Sequence, residues 1–180
     1  MQNVEFKCEL RDIALARGIL KRLGAHLVRT LRQRDTYYKV ADGKLKRRES
    51  WGEDGHPEPT EYVFYHRVQR VGPKLSHFTL LSEEQALRRY GEREMPVLVE
   101  LEKRREVWIW KSVHAHLDDV DDVGKFFEAD VLVTPRQHIG ICHRMIASLR
   151  ESLAPALGEP VSPGYAELAL LEREISGDAA

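Results

Sequence analysis

The sequence has almost no cysteine. Its 180 residues include two, Cys8 and Cys142, too few for a disulfide framework or a zinc site. It also lacks a long apolar run, since nothing approaches the roughly 20 residues that a membrane helix needs. The first residues pass at once into Glu5 and Lys7, which is not the layout of a secretory signal. Nor is charge of one sign in excess. Lys and Arg number 28 against 29 Asp and Glu, a formal net charge of -1 with 32% of residues charged. General binders of nucleic acid or membrane surfaces carry a clear basic excess. These absences predict a reduced cytoplasmic protein with neither nucleic acid nor membrane as a partner. The length suits one domain over 1–180 with a substantial core, and about 154–180 reads as a C-terminal extension with a short helix.

What is present is strand-like alternation. Over 4–10, Val4, Phe6, Cys8 and Leu10 fall on one face and Glu5, Lys7 and Glu9 on the other. Asp12 is a candidate N-cap, Ala16, Ile19, Leu20 and Leu23 keep helical spacing, and Gly24 can end that helix. Further strands are predicted over 26–40, 44–50, 60–71, 74–80 and 97–110, with a hairpin turn at Asp42-Gly43 and a loop over 51–59. A hairpin of 113–117 and 125–130 is predicted to bracket an acidic turn over 118–124. Ser82 with Gln85 reads as one capping box, and Thr134 with Gln137 as another. Ile139, Cys142, Ile146, Leu149 and Leu153 form a helical stripe, and a short amphipathic piece follows near 165–171. Many long antiparallel strands with few helices predict an α+β fold built on a closed or nearly closed antiparallel β-barrel with flanking helices.

The charged faces carry the functional signal. Glu5 with Lys7, Lys46 with Arg48, Tyr65 with Arg67, Lys103 with Arg105, and Glu128 with Asp130 are each spaced i, i+2. Each pair therefore shares one side of the sheet. One such pair is ordinarily a solvated outer face. Five pairs in one small sheet point inward if the sheet closes. A lumen of Lys and Arg repels itself unless a polyanion fills it, and a triphosphate meets that need. Carboxylates among those cations suit Mg²⁺, which takes oxygen ligands together with substrate phosphates.

The motifs extend the point. Asn3-Val4-Glu5-Phe6-Lys7 resembles the opening E-x-E-x-K strand of the CYTH superfamily, the triphosphate tunnel metalloenzymes. Gln33-Arg34-Asp35-Thr36-Tyr37-Tyr38 is similar to Q-x-D-T-Y-F, and Gly43 to Glu49 to G-x-L-K-L-R-E. Tyr65-His66-Arg67 with Lys74-Leu75-Ser76 resembles the Y-x-R…K-x-S of the class IV adenylyl cyclase-like branch. Lys103-Arg104-Arg105, His116-Leu117-Asp118, Glu128-Ala129-Asp130 and Gly164-Tyr165-Ala166-Glu167-Leu168 extend the resemblance in chain order. The chain departs from the pattern at Asn3, where the family has Glu, and at Asp130, which replaces another Glu.

The resemblance implies that Lys7, Lys46, Arg48, Arg67, Lys74, Lys103 and Arg105 hold phosphates, with Lys7, Lys74 and Arg105 closest to catalysis. It implies that Glu5, Glu128 and Asp130 hold Mg²⁺ or Mn²⁺, with Asp118 either a further ligand or a turn cap. The expected substrate is a nucleoside triphosphate or another triphosphate. The expected reaction is cyclisation of ATP, with triphosphate hydrolysis and non-catalytic ATP or polyphosphate binding as alternatives. A homodimer is left open as the assembly state. Cys8, Cys142, Trp108 and Trp110 are expected in the core, and Arg88 and Arg89 on a solvated helix face. His116 is expected at the tunnel mouth or in a structural hydrogen bond, and His138 and His143, five apart, do not form a metal pair.

Overall fold

The computed structural model describes residues 1–91 and 95–177. Along the chain run β1 (Gln2–Leu10), α1 (Ile13–Arg22), β2 (His26–Tyr38), β3 (Lys44–Gly52), β4 (Glu61–Arg67), β5 (Lys74–Ser82) and α2 (Glu83–Tyr90). They are followed by β6 (Val97–Trp110), β7 (Val113–Val120), β8 (Gly124–Leu132), α3 (Ile139–Leu153), β9 (Leu157–Pro160) and α4 (Tyr165–Ser176). Eight strands form a closed antiparallel ring in the order β1-β5-β4-β3-β2-β6-β7-β8, with β8 returning to β1. The first strand makes the closure. One of its edges pairs with β8 from Asn3↔Leu132 to Glu9↔Phe126, and the start of its other edge pairs with β5 through Asn3↔Ser76 and Glu5↔Lys74. Where β5 departs, β9 takes over that edge at Cys8↔Pro160, and the Val161 N–H donates to the Lys7 carbonyl at 3.0 Å.

The barrel is turned inside out relative to an ordinary soluble one. Val4, Phe6, Cys8 and Leu10 point outward and are buried under α1 and α3, together with Trp108, Trp110, Ala115, Leu117, Phe127 and Val131. Ile146, Leu149 and Leu153 of α3 are 0% exposed in this layer. Each such side chain contributes about 1.5–3 kcal/mol through burial. Because the apolar faces are committed to the helices, the alternating polar faces turn into the lumen. Among the described residues no helix is long and apolar enough to cross a membrane.

Local chemistry sets most boundaries. Asp12 Oδ1 accepts the Leu15 N–H at 2.8 Å to cap α1, and the Ser82–Gln85 capping box opens α2. Gly43 turns the β2–β3 hairpin at φ +69, and an added Cβ there would come within 2.8 Å of the Phe64 ring. Several expectations need correction. Thr134 and Gln137 do not form a capping box. Their backbones exchange hydrogen bonds in a tight turn, the Gln137 amide donates to the Leu132 carbonyl, and α3 begins at Ile139 after His138. The acidic turn is shorter than 118–124, because Asp118, Asp119 and Val120 stay paired with β8. β3 continues through Gly52, and β4 ends at Arg67, where Arg70 donates to the Pro73 carbonyl in a loop. The tail helix reaches Ser176 instead of ending near 171.

Candidate active site

The strand register fixes which side chains line the lumen and at what depth. β1 presents Lys7, Glu5 and Asn3 in turn, β8 presents Glu128, Asp130 and Leu132, and β4 presents Arg67, Tyr65, Val63 and Glu61. Facing them, β6 contributes Lys103 and Arg105, β3 contributes Lys46 and Arg48, and β7 contributes His116 and His114. These residues surround a cavity of about 460 Å³. All five i, i+2 pairs of the sequence therefore point into the barrel.

One end of the cavity is shut. Tyr165, Ala166 and Ala169 of α4 pack against Tyr37, Val99, Leu101, Val120 and Phe126, which sit at that end of the barrel wall. The Tyr165 ring lies under two ammonium groups, Lys7 Nζ at 4.2 Å and Lys103 Nζ at 4.9 Å from its centroid. The other end is a mouth with Met1, Val63, Phe78, Leu80 and Leu132 on its wall, beside the polar Glu61 and His114.

Between the two ends the charges are interlocked. Asp35, fully buried, accepts from Arg48 Nε and Nη2, both at 2.7 Å, and from Lys46 Nζ at 3.0 Å, with Lys103 Nζ at 3.5 Å. Burial pushes the Asp35 carboxyl up, but Arg48, Lys46 and Lys103 outweigh it and hold it well below the usual range. Arg105 donates to Asp118 at 2.7 and 2.5 Å and to Glu128 at 2.5 Å. The Tyr165 hydroxyl donates to Asp118 at 2.7 Å. Burial likewise opposes ionisation of Glu128, and Arg105, Lys7 and Lys103 overcome it. Glu5 accepts from Arg67 at 2.9 Å, and Asp130 is held by His116 at 3.0 Å, with His114 at 3.6 Å.

The lysines respond in the opposite direction. Burial lowers Lys7 to about 7 despite the pull of Glu128. Burial, then Arg105 and Arg48, lower Lys103 to about 8. Lys46 is driven well below the usual range by burial and Arg48. Lys103 Nζ is buried and makes no hydrogen bond. A site of this kind favours an anion that recharges its lysines.

The structure thus brings together Lys7, Lys46, Arg48, Arg67, Lys103, Arg105, Glu5, Glu128 and Asp130 around one cavity. Lys74 sits beside it at the closed end, donating to the Ser162 carbonyl at 3.1 Å. Asp118 lies within β7, not in a turn, and stands behind Arg105, off the cavity wall. Asp35 and Tyr165 went unassigned in the sequence, although both sit in motifs singled out there. Their inward register was the available signal.

The donor set at the carboxylate wall can be tested for a divalent ion. Glu5 and Asp130 are cross-strand partners, Glu128 follows on the same face, and Asn3 Oδ1 is buried without a partner nearby. All are hard oxygen donors suited to Mg²⁺ or Mn²⁺. Among the described residues no three Asp, Glu, His or Cys side chains already stand close enough to hold an ion. The carboxylates are engaged by Arg67, Arg105 and His116 instead. The chemistry fits an ion, and binding one means releasing some of these partners.

Comparison with known proteins places this geometry. The model of the CYTH domain matches residues 1–154. No curated protein matches the chain by sequence. Among solved structures, PH1819 from Pyrococcus horikoshii OT3 is 21% identical with a TM-score of 0.66, covering 95% of this chain and 99% of that one. A candidate adenylate cyclase from Vibrio parahaemolyticus is 14% identical with a TM-score of 0.70, over 93% and 97% of the two chains. The Hippeastrum protein HpAC1, a candidate adenylyl cyclase described as having a dominant triphosphatase activity, is 14% identical with a TM-score of 0.54, over 96% of each chain.

Proposed function

The chain belongs to the CYTH domain family, and from that premise we propose that it is a divalent-metal-dependent enzyme acting on a nucleoside triphosphate, cyclising ATP to cyclic AMP and pyrophosphate. The observation that carries the reading is the polarity of the cavity along its length. Cations crowd the closed end, and Met1, Val63, Phe78, Leu80 and Leu132 stand at the mouth. A polyphosphate tail suits the first and a base with its sugar the second. Inorganic triphosphate has nothing to place on the apolar wall.

In this reading Lys7, Lys46, Arg48 and Lys103 take the β- and γ-phosphates. Arg105 and Arg67 hold charge further out, and Lys74 supports the closed end. Glu5, Glu128 and Asp130, with Asn3, would hold Mg²⁺ or Mn²⁺. The ion, when bound, supplies Lewis-acid polarisation of phosphate oxygens. The ribose 3′-hydroxyl attacks the α-phosphorus and gives its proton to solvent at the mouth, the bond to the β-phosphate bridging oxygen breaks, and pyrophosphate leaves with the electron pair. The buried cations stabilise that developing charge where water is excluded. Asp118 and Asp35 act behind this layer as anchors, fixing Arg105 and the Lys46–Arg48 pair.

One observation favours hydrolysis as a second reading. The cations crowd the closed end, so the terminal phosphate of a triphosphate would lie among Lys7, Lys46 and Lys103, which would stabilise the charge that develops when water attacks it. Incubation with ATP, tripolyphosphate and thiamine triphosphate, each with Mg²⁺ or Mn²⁺, tests both. Cyclic AMP and pyrophosphate from ATP are the expected products. A diphosphate and phosphate would establish the hydrolase, and binding without turnover would leave a binding module.

A further inference from the structure

Two imidazoles on the inward face of β7 line the cavity without a part in holding phosphate. His114 and His116 lie two residues apart on that face, and their cross-strand partners on β8 are Asp130 and Glu128. Both rings turn to Asp130, one to each oxygen. His116 Nε2 stands 3.0 Å from Oδ2, and His114 Nδ1 stands 3.6 Å from Oδ1. The other nitrogen of His116, Nδ1, is buried without a hydrogen-bond partner. Glu5, the partner of Asp130 on β1, is turned to Arg67 instead. The Asp130 carboxylate therefore keeps company with two imidazoles and not with the other carboxylates.

We propose that His114, His116 and Asp130 form a two-nitrogen, one-carboxylate site for the cavity's divalent ion, and that the nitrogens bias it toward a transition metal such as Zn²⁺ or Mn²⁺ and away from Mg²⁺. The inference rests on reading Asp130 as a metal ligand and adds imidazole donors to it. The spacing supports it. Two ligands, each about 2.0–2.1 Å from one ion and about 90–110° apart, are separated by about 2.8–3.4 Å. The His116–Asp130 contact lies in that span, and the His114–Asp130 contact lies just beyond it. The ring centroids stand 6.3 Å apart, which leaves room for an ion between them. Closing the site takes a turn of His114, whose side chain is 53% exposed and free to move inward, whereas His116 is largely buried in place. When His116 Nε2 turns from Asp130 to an ion, its ring proton sits on Nδ1, where no other group competes. Imidazole nitrogen suits the later first-row ions, whereas Mg²⁺ takes oxygen ligands and gives up its waters reluctantly. A wall of Glu5, Glu128 and Asp130 alone would have only the general rise in affinity along the metal series.

The test uses the whole chain and metals alone, independent of turnover. Free Mn²⁺ is followed by electron paramagnetic resonance while Zn²⁺ or Mg²⁺ displaces it from the wild type, His114→Gln and His116→Gln. Because any site prefers Zn²⁺ to some degree, the quantity read is the change in the ratio of the two affinities. Each variant is expected to lower the Zn²⁺ to Mg²⁺ ratio by about tenfold or more, with Mg²⁺ affinity unchanged. Gln can still donate to Asp130, so histidines that serve only as hydrogen-bond partners would leave the ratio where it was, and that result overturns the inference. A second measurement needs no variant. Electron spin-echo envelope modulation of the Mn²⁺-loaded wild type reads nitrogen bound directly to the ion, and modulation from imidazole is expected. Its absence overturns the inference, as does modulation that persists when both histidines are replaced. A wild type that binds no divalent ion defeats the metal reading itself and this inference with it. Ions bound through oxygen alone, with affinity lowered by Glu5→Gln, defeat this inference and leave that reading standing.

Discussion

Arg105 and Asp118 form a doubly hydrogen-bonded pair at 2.7 and 2.5 Å, and both residues are more than nine-tenths buried. The pair joins the tail to the charged wall of the cavity, because Asp118 also accepts the Tyr165 hydroxyl and Arg105 also reaches Glu128. Cross-strand register makes this possible, since Arg105 and Asp118 are direct partners between β6 and β7.

Removing the Asp118 charge should therefore cost more than a surface pair would. Asp118→Asn leaves a buried guanidinium without its main counter-charge, and the expected loss is about 3–5 kcal/mol. Tyr165→Phe, which removes a single hydrogen bond to that carboxylate, should cost about 1–3 kcal/mol. Denaturant unfolding of both variants checks the order. Equal losses would mean that Asp118 does not hold Arg105 in the way described.

Glu5 and Glu128 should each matter to ion binding. Glu5→Gln and Glu128→Gln remove a charged oxygen donor, and each should weaken Mn²⁺ binding by at least about tenfold. Free Mn²⁺ measured by electron paramagnetic resonance reads this without reference to turnover. Unchanged titration curves for both variants would remove the β1–β8 wall as the metal site.

Position 3 allows a gain instead of a loss. Asn3 lies two residues before Glu5 on the same face, and its Oδ1 is buried without a partner. Asn3→Glu should move the Mn²⁺ requirement to lower concentration, because ligand charge sets affinity at such sites. Arg67, which pairs with the same Ser76 that Asn3 faces, can accommodate the added carboxylate. If the added charge lowers triphosphate affinity and leaves the ion requirement unmoved, Asn3 faces the phosphates and not the metal.

The buried lysines predict two opposite pH dependences. Lys7 at about 7 and Lys103 at about 8 lie below the ordinary lysine value of 10.5. Between those values the unfolded chain binds more protons than the folded one, so ligand-free stability from these groups rises with pH through that window. Triphosphate binding restores the ammonium charges. Binding should take up protons near pH 8, and affinity should fall as pH rises further. Calorimetry in two buffers of different ionisation enthalpy measures the uptake. Zero uptake at pH 8 would mean the lysines are charged before ligand arrives.

The sequence by itself determined the elements and the company each residue keeps along a strand. Alternation placed Lys46 with Arg48 and Glu128 with Asp130, and β6 runs over the expected 97–110 because an uninterrupted β-branched and charged alternation has no competing turn signal. The Ser82–Gln85 capping box was readable because both of its hydrogen bonds are local. The Thr134–Gln137 motif misled because the capping side chain was drawn to Leu132, a partner that only the folded β8 end supplies. What alternation cannot decide is which face is inside. That was settled by contacts distant in sequence: α3 covering the outer face of β1, and β1 pairing with β5 about 70 residues away to close the ring. Once the ring closed, Asp35 fell among Lys46, Arg48 and Lys103. Tyr165 came to rest against Lys7 from 158 positions along the chain. A buried charge is tolerated only where its partners converge, and that convergence is a property of the closed barrel, not of any one strand.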